Sequence, residues 1–336
     1  MNRKLNIALV GCGSIGLRHA EHIISLANLK AVCDIKEERG KTFSNKFGVS
    51  NYLSIDKLIE MEKDLDLIAI CTPNGLHCMH TVTALNSGIN VLCEKPMALS
   101  LKECDRMILA SEHSNKRLFI IKQNRFNPPI AELKNIIDNK RLGEIYSFQL
   151  NCFWNRSAEY YITSDWKGTK KLDGGILFTQ YSHFIDLICW FFGNIKKVSS
   201  ITKNFAHKDI IEFEDSGVCI LEFENGILGT INFNVNAYKT NMEGSITVFG
   251  EKGSVKIGGQ YVNKIEYQNI EGYVMKSMPK IEKANDYGFY RGSMSNHDKV
   301  YECVISDILN NTSKCVGAIE GRMTVEAIEQ IYEAQI

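Results

Sequence analysis

From Leu5 to Ile121 the chain alternates short apolar runs with longer segments whose apolar residues recur every three or four positions. That is the pattern of strands buried on both faces and joined by amphipathic helices. Five runs have the length of buried strands: Leu5 to Val10, Leu29 to Asp34, Leu65 to Cys71, Asn90 to Cys93 and Arg117 to Ile121. Between the first two, Leu17, Ala20, Ile24 and Ala27 mark one face of a helix. The alternation predicts a doubly wound parallel sheet over residues 1–122.

After Asn127-Pro128-Pro129 the period changes. Proline is well suited to the first turn of a helix, and the residue before it resists helical geometry. The second domain is therefore expected over residues 123–336. Tyr146, Phe148, Leu150, Cys152 and Trp154 alternate with Ser147, Gln149, Asn151 and Phe153, the period of two of a strand with one covered face. Ile227, Ile231, Phe233 and Val235 alternate in the same way with Thr230, Asn232, Asn234 and Asn236. Asn225-Gly226, and Glu251-Lys252-Gly253 between two apolar runs, predict tight hairpins. One helix, Ile176 to Phe192, follows Asp173-Gly174-Gly175, with Ile176, Thr179, Gln180, His183 and Leu187 at helical spacing. A last helix covers Met323 to Ile336. The expected fold is α/β followed by α+β, the second part an open, mostly antiparallel sheet.

Composition narrows the function. The 336 residues carry 39 basic and 39 acidic side chains, so no net field is available to hold a polyanion. Eleven cysteines, from Cys12 to Cys315 without a C-x-x-C pair, read as reduced thiols rather than a disulfide framework or zinc ligands, and no metal is expected. The apolar start stops at Gly11, and Phe184 to Phe192 is interrupted by Asp186, far short of the roughly 20 residues of a membrane span. A soluble, cytoplasmic protein is expected, with neither nucleic acid nor membrane as partner.

The first strand runs into Gly11-Cys12-Gly13-Ser14-Ile15-Gly16, and the second ends in Asp34 about 20 residues on, the spacing of a Rossmann dinucleotide-binding fingerprint. Gly11 permits the turn, Gly13 lets backbone approach a pyrophosphate, Gly16 lets helix pack on strand, and the helix N-terminus offers N–H groups to phosphate. Asp34 suits the two ribose hydroxyls of NAD, whereas the 2′-phosphate of NADP would face like charge costing about 4 kcal/mol. Two further strand ends lead into Thr72-Pro73-Asn74 with His77, and into Glu94-Lys95-Pro96; ligands sit at the carboxyl ends of such strands. Lys95 is placed to take part in proton transfer, and His183 supplies a base that titrates near working pH. Gln123, Trp166 and Lys167 are grouped with the cofactor, and Arg125, Arg156, Tyr160, Tyr161, Thr179 and Gln180 with an anionic, ring-shaped substrate.

With these motifs the sequence resembles, over essentially its whole length, the glucose-fructose oxidoreductase/inositol dehydrogenase/rhizopine catabolism (Gfo/Idh/MocA) family of NAD(P)-dependent oxidoreductases. The segments Phe153-Trp154-Asn155-Arg156, Glu159-Tyr160-Tyr161, Trp166-Lys167-Gly168-Thr169, Gln180 with Ser182-His183, and Glu243 to Gly253 are similar to its UDP-N-acetyl-2-amino-2-deoxyglucuronate 3-dehydrogenase branch. The resemblance implies that Lys95 and His183 flank the reacting carbinol. It also implies oxidation of the sugar 3-hydroxyl with NAD on the route to surface polysaccharides, tetramers packed through the open sheet, and in some members re-oxidation of bound NADH by 2-oxoglutarate. Much of the wider family carries aspartate one helical turn before the histidine; here that position is Thr179, a departure shared with the narrower branch. A further segment, Tyr287-Gly288-Phe289-Tyr290-Arg291-Gly292 leading to His297, has no assigned match. Two alternatives stay open: a dehydrogenase of a free sugar or inositol, and a redox-silent NAD-binding sensor on the same fold.

Overall fold

The structure is a computed structural model that describes residues 3–276, 284–286 and 291–336; Tyr287 to Tyr290 of the unmatched segment lie outside the described residues. Contacts divide the chain into two compact units, residues 1–121 with 297–325, and residues 122–296 with 326–336.

The first unit runs β1 (Asn6–Val10), α1 (Ser14–Leu26), β2 (Asn28–Cys33), α2 (Glu37–Phe47), β3 (Ser50–Tyr52), α3 (Ile55–Met61), β4 (Leu67–Ile70), α4 (His77–Asn86), β5 (Asn90–Cys93), α5 (Leu101–Ser114) and β6 (Leu118–Ile120). The six strands are all parallel, in the order β3-β2-β1-β4-β5-β6. That order belongs to doubly wound dinucleotide-binding sheets and places the turns after β1, β4 and β5 at one edge of the sheet. Local signals set the helix starts: Ser54 caps α3 and Ser100 caps α5 through their side chains. Only the short β3 lies outside the five expected runs, because three residues pairing with β2 leave no periodic trace.

The second unit begins with α6 (Pro128–Asp138), opened by proline at its first turn. It continues through β7 (Ile145–Phe153), α7 (Ala158–Ile162), α8 (Ile176–Thr179), α9 (Ser182–Phe192), β8 (Ile195–Lys203), β9 (Ser216–Phe223), β10 (Leu228–Asn234), β11 (Glu243–Gly250), β12 (Gly253–Gly258) and β13 (Lys264–Ile270), with a separate pair β14 (Ala284–Asp286) and β15 (Arg291–Met294). Seven strands form one sheet, β13-β12-β11-β7-β10-β9-β8, antiparallel except where β10 runs parallel to β7. One face is buried through Phe148, Leu150, Cys152, Cys219, Leu221, Ile231, Phe233, Ile246 and Val248, and the other leaves Val218, Ile220, Leu228 and Ile201 exposed.

Three expectations need correction. Ile176 to Phe192 is not one helix: the amides of Gln180 and Tyr181 both bond to Ile176 O, and the helix restarts when those of Phe184 and Ile185 bond to Tyr181 O. The buried Tyr181 ring packs against Trp154, Phe184 and Phe233, and its hydroxyl donates to Asn234 O at 2.5 Å, which fixes the break. The chain also returns to the first unit, since α10 (His297–Asn310) adds Val300, Tyr301 and Val304 to its core; α11 (Ala318–Glu333) then starts five residues earlier than expected. Finally, Cys303 and Cys315 form a disulfide, while the other nine cysteines are buried and not disulfide-bonded. Asp307 gathers the intervening loop by accepting from Thr312 Oγ1 and the amides of Lys314 and Cys315.

Candidate active site

In the first unit the glycines of the β1–α1 turn differ in what surrounds them. A Cβ on Gly11, whose φ is +103°, would lie 2.5 Å from Cys71 O, and one on Gly16 would lie 2.1 Å from Gly11 O. A Cβ on Gly13 would meet nothing within 4 Å, so this glycine answers no internal packing need and leaves the backbone at the N-cap of α1 open. The turn therefore fits a dinucleotide pyrophosphate, which the amides of Gly13, Ser14 and Ile15 would hold. Asp34 Oδ2 accepts from the Cys12 amide and Oδ1 from the Lys36 amide, both at 2.8 Å. The carboxylate is thereby fixed in place, and each oxygen keeps a lone pair for a ribose hydroxyl. Cys12 itself is an inert thiol: burial, then the Asp34 charge, push it up to about 12.

Two residues grouped with the cofactor are tied into the framework. His77 is buried, with Nδ1 on Pro96 O at 2.7 Å and Nε2 on Thr72 O at 2.9 Å, so it ties together the turns after β4 and β5. Glu94 Oε1 receives His19 Nε2 at 2.9 Å and His297 Nε2 at 3.3 Å, and Oε2 receives the Lys95 amide at 2.9 Å. Burial alone would raise this carboxyl, yet the two imidazoles hold it well below the usual range. Glu94 thus anchors the backbone at Lys95. His19 and His297 carried no sequence signal for this, being 75 and 203 residues from Glu94. Thr72 Oγ1 pairs with His80 Nδ1 at 3.1 Å, Pro73 precedes a single 3₁₀ turn, and Asn74 is buried within it.

In the second unit a polar cluster forms around the α8–α9 break. Arg156, 2% exposed, donates from Nε to Gln180 Oε1 at 2.7 Å and from Nη1 to Asn241 Oδ1 at 3.2 Å. Gln180 Nε2 in turn donates to the Tyr160 hydroxyl at 2.8 Å. The guanidinium lies over Trp154 and Tyr160, and Lys167 Nζ sits 3.7 Å from the Tyr160 ring centroid. Burial, then the Arg156 charge, bring Lys167 down to about 8, with Asp173 partly offsetting them. Three residues beyond Gln180, His183 Nε2 faces Gln123 Nε2 at 3.4 Å, and the same amide nitrogen donates to Ser293 Oγ at 3.1 Å. An amide nitrogen only donates, so this contact places His183 Nε2 as the acceptor and fixes the orientation of the ring. Gln123 Oε1 and both polar side-chain atoms of Asn124 are buried without a hydrogen-bond partner among the described residues, a set that a bound ligand would satisfy.

Arg156, Tyr160, Gln180 and Lys167 are therefore brought together, with His183 three residues beyond Gln180 and Gln123 beside it. Three residues expected with the substrate are engaged elsewhere. Arg125 makes a two-pronged ion pair with Asp186, at 2.8 and 2.7 Å, and stacks on Trp190. Tyr161 is buried against Tyr160, His207 and Ile211. The Thr179 hydroxyl donates to Asp173. Trp166 is half-buried in the 164–169 turn. Asn241 and Ser293, both absent from the sequence reading, enter through tertiary contacts that no local pattern announces.

The model of an oxidoreductase family with an NAD-binding Rossmann fold matches residues 5–122, and that of the GFO/IDH/MocA C-terminal domain matches residues 130–256. The chain belongs to the Gfo/Idh/MocA family. It is an NAD-dependent dehydrogenase. Among solved structures, it is similar to the WlbA dehydrogenase of Bordetella pertussis in complex with NADH and UDP-GlcNAcA, at 31% identity, covering 99% of this chain and 96% of that one, with a TM-score of 0.87. The WlbA dehydrogenase of Chromobacterium violaceum, in complex with the same two ligands, shares 32% identity over 99% of this chain and 94% of that one, with a TM-score of 0.88. The myo-inositol 2-dehydrogenase of Thermotoga maritima is 27% identical over 267 residues, 75% of this chain and 74% of its own length.

Proposed function

We propose that the enzyme oxidises the 3-hydroxyl of a UDP-linked 2-acetamido uronic acid to the 3-keto sugar in surface-polysaccharide biosynthesis. The observation that carries this reading is the buried Arg156–Gln180–Tyr160 chain with Lys167 against the Tyr160 ring. A buried guanidinium at Arg156 and a half-buried ammonium at Lys167 favour an anionic substrate, and aromatic faces beside them favour a ring. The likeness to WlbA structures holding UDP-GlcNAcA, over nearly the full chain, supports the same substrate class.

NAD, when bound, supplies the hydride acceptor. Gly11 to Gly16 and Asp34 would hold it, Lys95 and His183 would exchange the hydroxyl proton, and Gln123 orients the His183 ring through the contact at its Nε2. Arg156, Gln180 and Tyr160 orient the sugar. The exposed Val218, Ile220, Leu228 and Ile201 on the open face of the seven-stranded sheet support assembly as a homotetramer.

The test is to identify the nucleotide released from purified protein on denaturation, then follow reduced-nicotinamide absorbance on adding UDP-GlcNAcA, with and without 2-oxoglutarate. Reduction that continues only with 2-oxoglutarate means the cofactor is recycled in place. Bound NAD without reduction by this sugar would sink the substrate assignment. The similarity to a myo-inositol 2-dehydrogenase favours a second reading, a free polyol substrate, which the same assay decides with inositols and free sugars.

A further inference from the structure

Gly175 opens α8 with φ +134°, and a Cβ there would lie 2.3 Å from the Tyr332 hydroxyl. That hydroxyl accepts the Leu177 amide at 3.2 Å and donates to Glu214 Oε1 at 2.6 Å. The Glu214 carboxylate also receives the Ile176 amide and is buried. Two successive amides at the start of α8 therefore end on Glu214 and Tyr332. Three residues on, α8 gives way to Gln180, and three further to His183.

Tyr332 is itself held firmly. Its ring packs on Phe178 at 5.9 Å. The last residues of the chain are tied to β8, with the Ser200 amide donating to Ala334 O at 3.0 Å, Ser200 Oγ to Ile331 O at 2.6 Å, and the Ile336 amide to Ser200 O at 3.1 Å.

We propose that Glu214 and Tyr332 are positioning residues for the dehydrogenase reaction: together they seat the 175–179 turn and so set where Gln180 and His183 stand, which makes the C-terminal end of the chain part of the catalytic apparatus. The proposal rests on the roles given to Gln180 and His183 above. Neither Glu214 nor Tyr332 touches substrate in it; both act through backbone amides.

The electrostatics give the pair a readout. Burial, and to a lesser degree Asp173, raise Glu214 to about 7, against the hydrogen bonds from Tyr332 and Ile176 that favour the carboxylate. The groups that face it are Tyr332 from α11, Asp173 from the turn before Gly174, and Cys219 from β9. Glu214 thus changes charge near neutrality beneath the turn it supports.

The experiment uses the full-length, NAD-loaded protein and the variants Tyr332→Phe, Glu214→Gln and Glu214→Ala. Phenylalanine keeps the ring contact with Phe178, and glutamine keeps an oxygen for the Ile176 and Tyr332 donors. The measurements are kcat and KM for UDP-GlcNAcA against pH, NAD affinity by titration, and the imidazole resonances of selectively labelled His183 against pH. Tyr332→Phe and Glu214→Ala should lower kcat about tenfold with NAD affinity within twofold, and Glu214→Gln should restore most of kcat. In the wild type, the His183 resonances should carry, besides the inflection of the imidazole's own ionisation, a second one from Glu214 near neutral pH that Glu214→Gln removes. Wild-type kcat in Tyr332→Phe, together with His183 resonances that match the wild type in both Tyr332→Phe and Glu214→Gln, would overturn the proposal, including where Glu214→Ala fails to fold. Should the wild type leave UDP-GlcNAcA unoxidised, the substrate reading falls, and the His183 resonances alone decide the positioning role.

Discussion

At the scale of single residues, the three glycines of one motif do different physical work. Gly11 and Gly16 are required by the fold, because any side chain would run into backbone oxygens. Gly13 is surrounded by open space and has φ −87°, which any residue adopts, so only a ligand explains its lack of a side chain. Gly13→Val should melt within a few degrees of wild type yet bind NAD at least tenfold more weakly, as measured by calorimetry and titration. Gly11→Ala should lose stability outright, from both the strained φ and the clash with Cys71 O. Equal loss of stability in both variants would remove the argument for a pyrophosphate at Gly13.

At the scale of elements, the link between the turn at residues 123–126 and α9 is a buried ion cluster. Asp186 accepts from Arg125 twice and pairs with Lys122 at 3.1 Å. Burial would raise its carboxyl, but the two cations hold it down to about 2. Removing one partner leaves buried charge uncompensated, so Asp186→Ala should cost about 3–5 kcal/mol in chemical denaturation. Replacement of Arg125 by lysine should cost stability too, since a point charge loses the two-pronged geometry and the stacking on Trp190. A substrate KM raised by Arg125→Lys with stability intact would instead return Arg125 to the binding site.

At the scale of the whole molecule, stability against pH follows from opposing groups. Glu214, raised to about 7 from its ordinary 4.5, holds its proton more tightly in the folded state. Its contribution is full below about pH 4.5 and is lost as pH rises through 7, a change of about 3 kcal/mol. Buried histidines run the other way: His80, lowered to about 4 by burial and His77, gives stability that grows between that value and its ordinary 6.5, and His77 and His297 are lowered as well. The clean measurement is therefore the difference between Glu214→Gln and wild type, which should grow in the variant's favour from pH 4.5 to 7.5 in urea titrations. A flat difference would mean that Glu214 is not raised. The open sheet face gives a second prediction at this scale. Ile220→Lys on the solvent side of β9 should convert the proposed tetramer to a smaller species in light scattering while leaving the monomer folded.

Periodicity and local chemistry by themselves determined the strands of the parallel sheet, the glycine turn with Asp34, the two hairpins and the change of architecture near residue 122. Each of these is written in neighbouring residues: period two or 3.6, proline at a helix start, glycine where φ is positive. Tertiary structure decided the rest. The break at Tyr181 depends on a hydroxyl reaching Asn234 O, 53 residues away. The placement of Arg156 on Gln180, the diversion of Arg125 to Asp186 and the burial of Glu94 between His19 and His297 all depend on partners 24 to 203 residues apart. The same residue type reads alike in sequence whether it faces a ligand or an ion-pair partner, because the competition for its charge is settled only by what folding brings within hydrogen-bond reach.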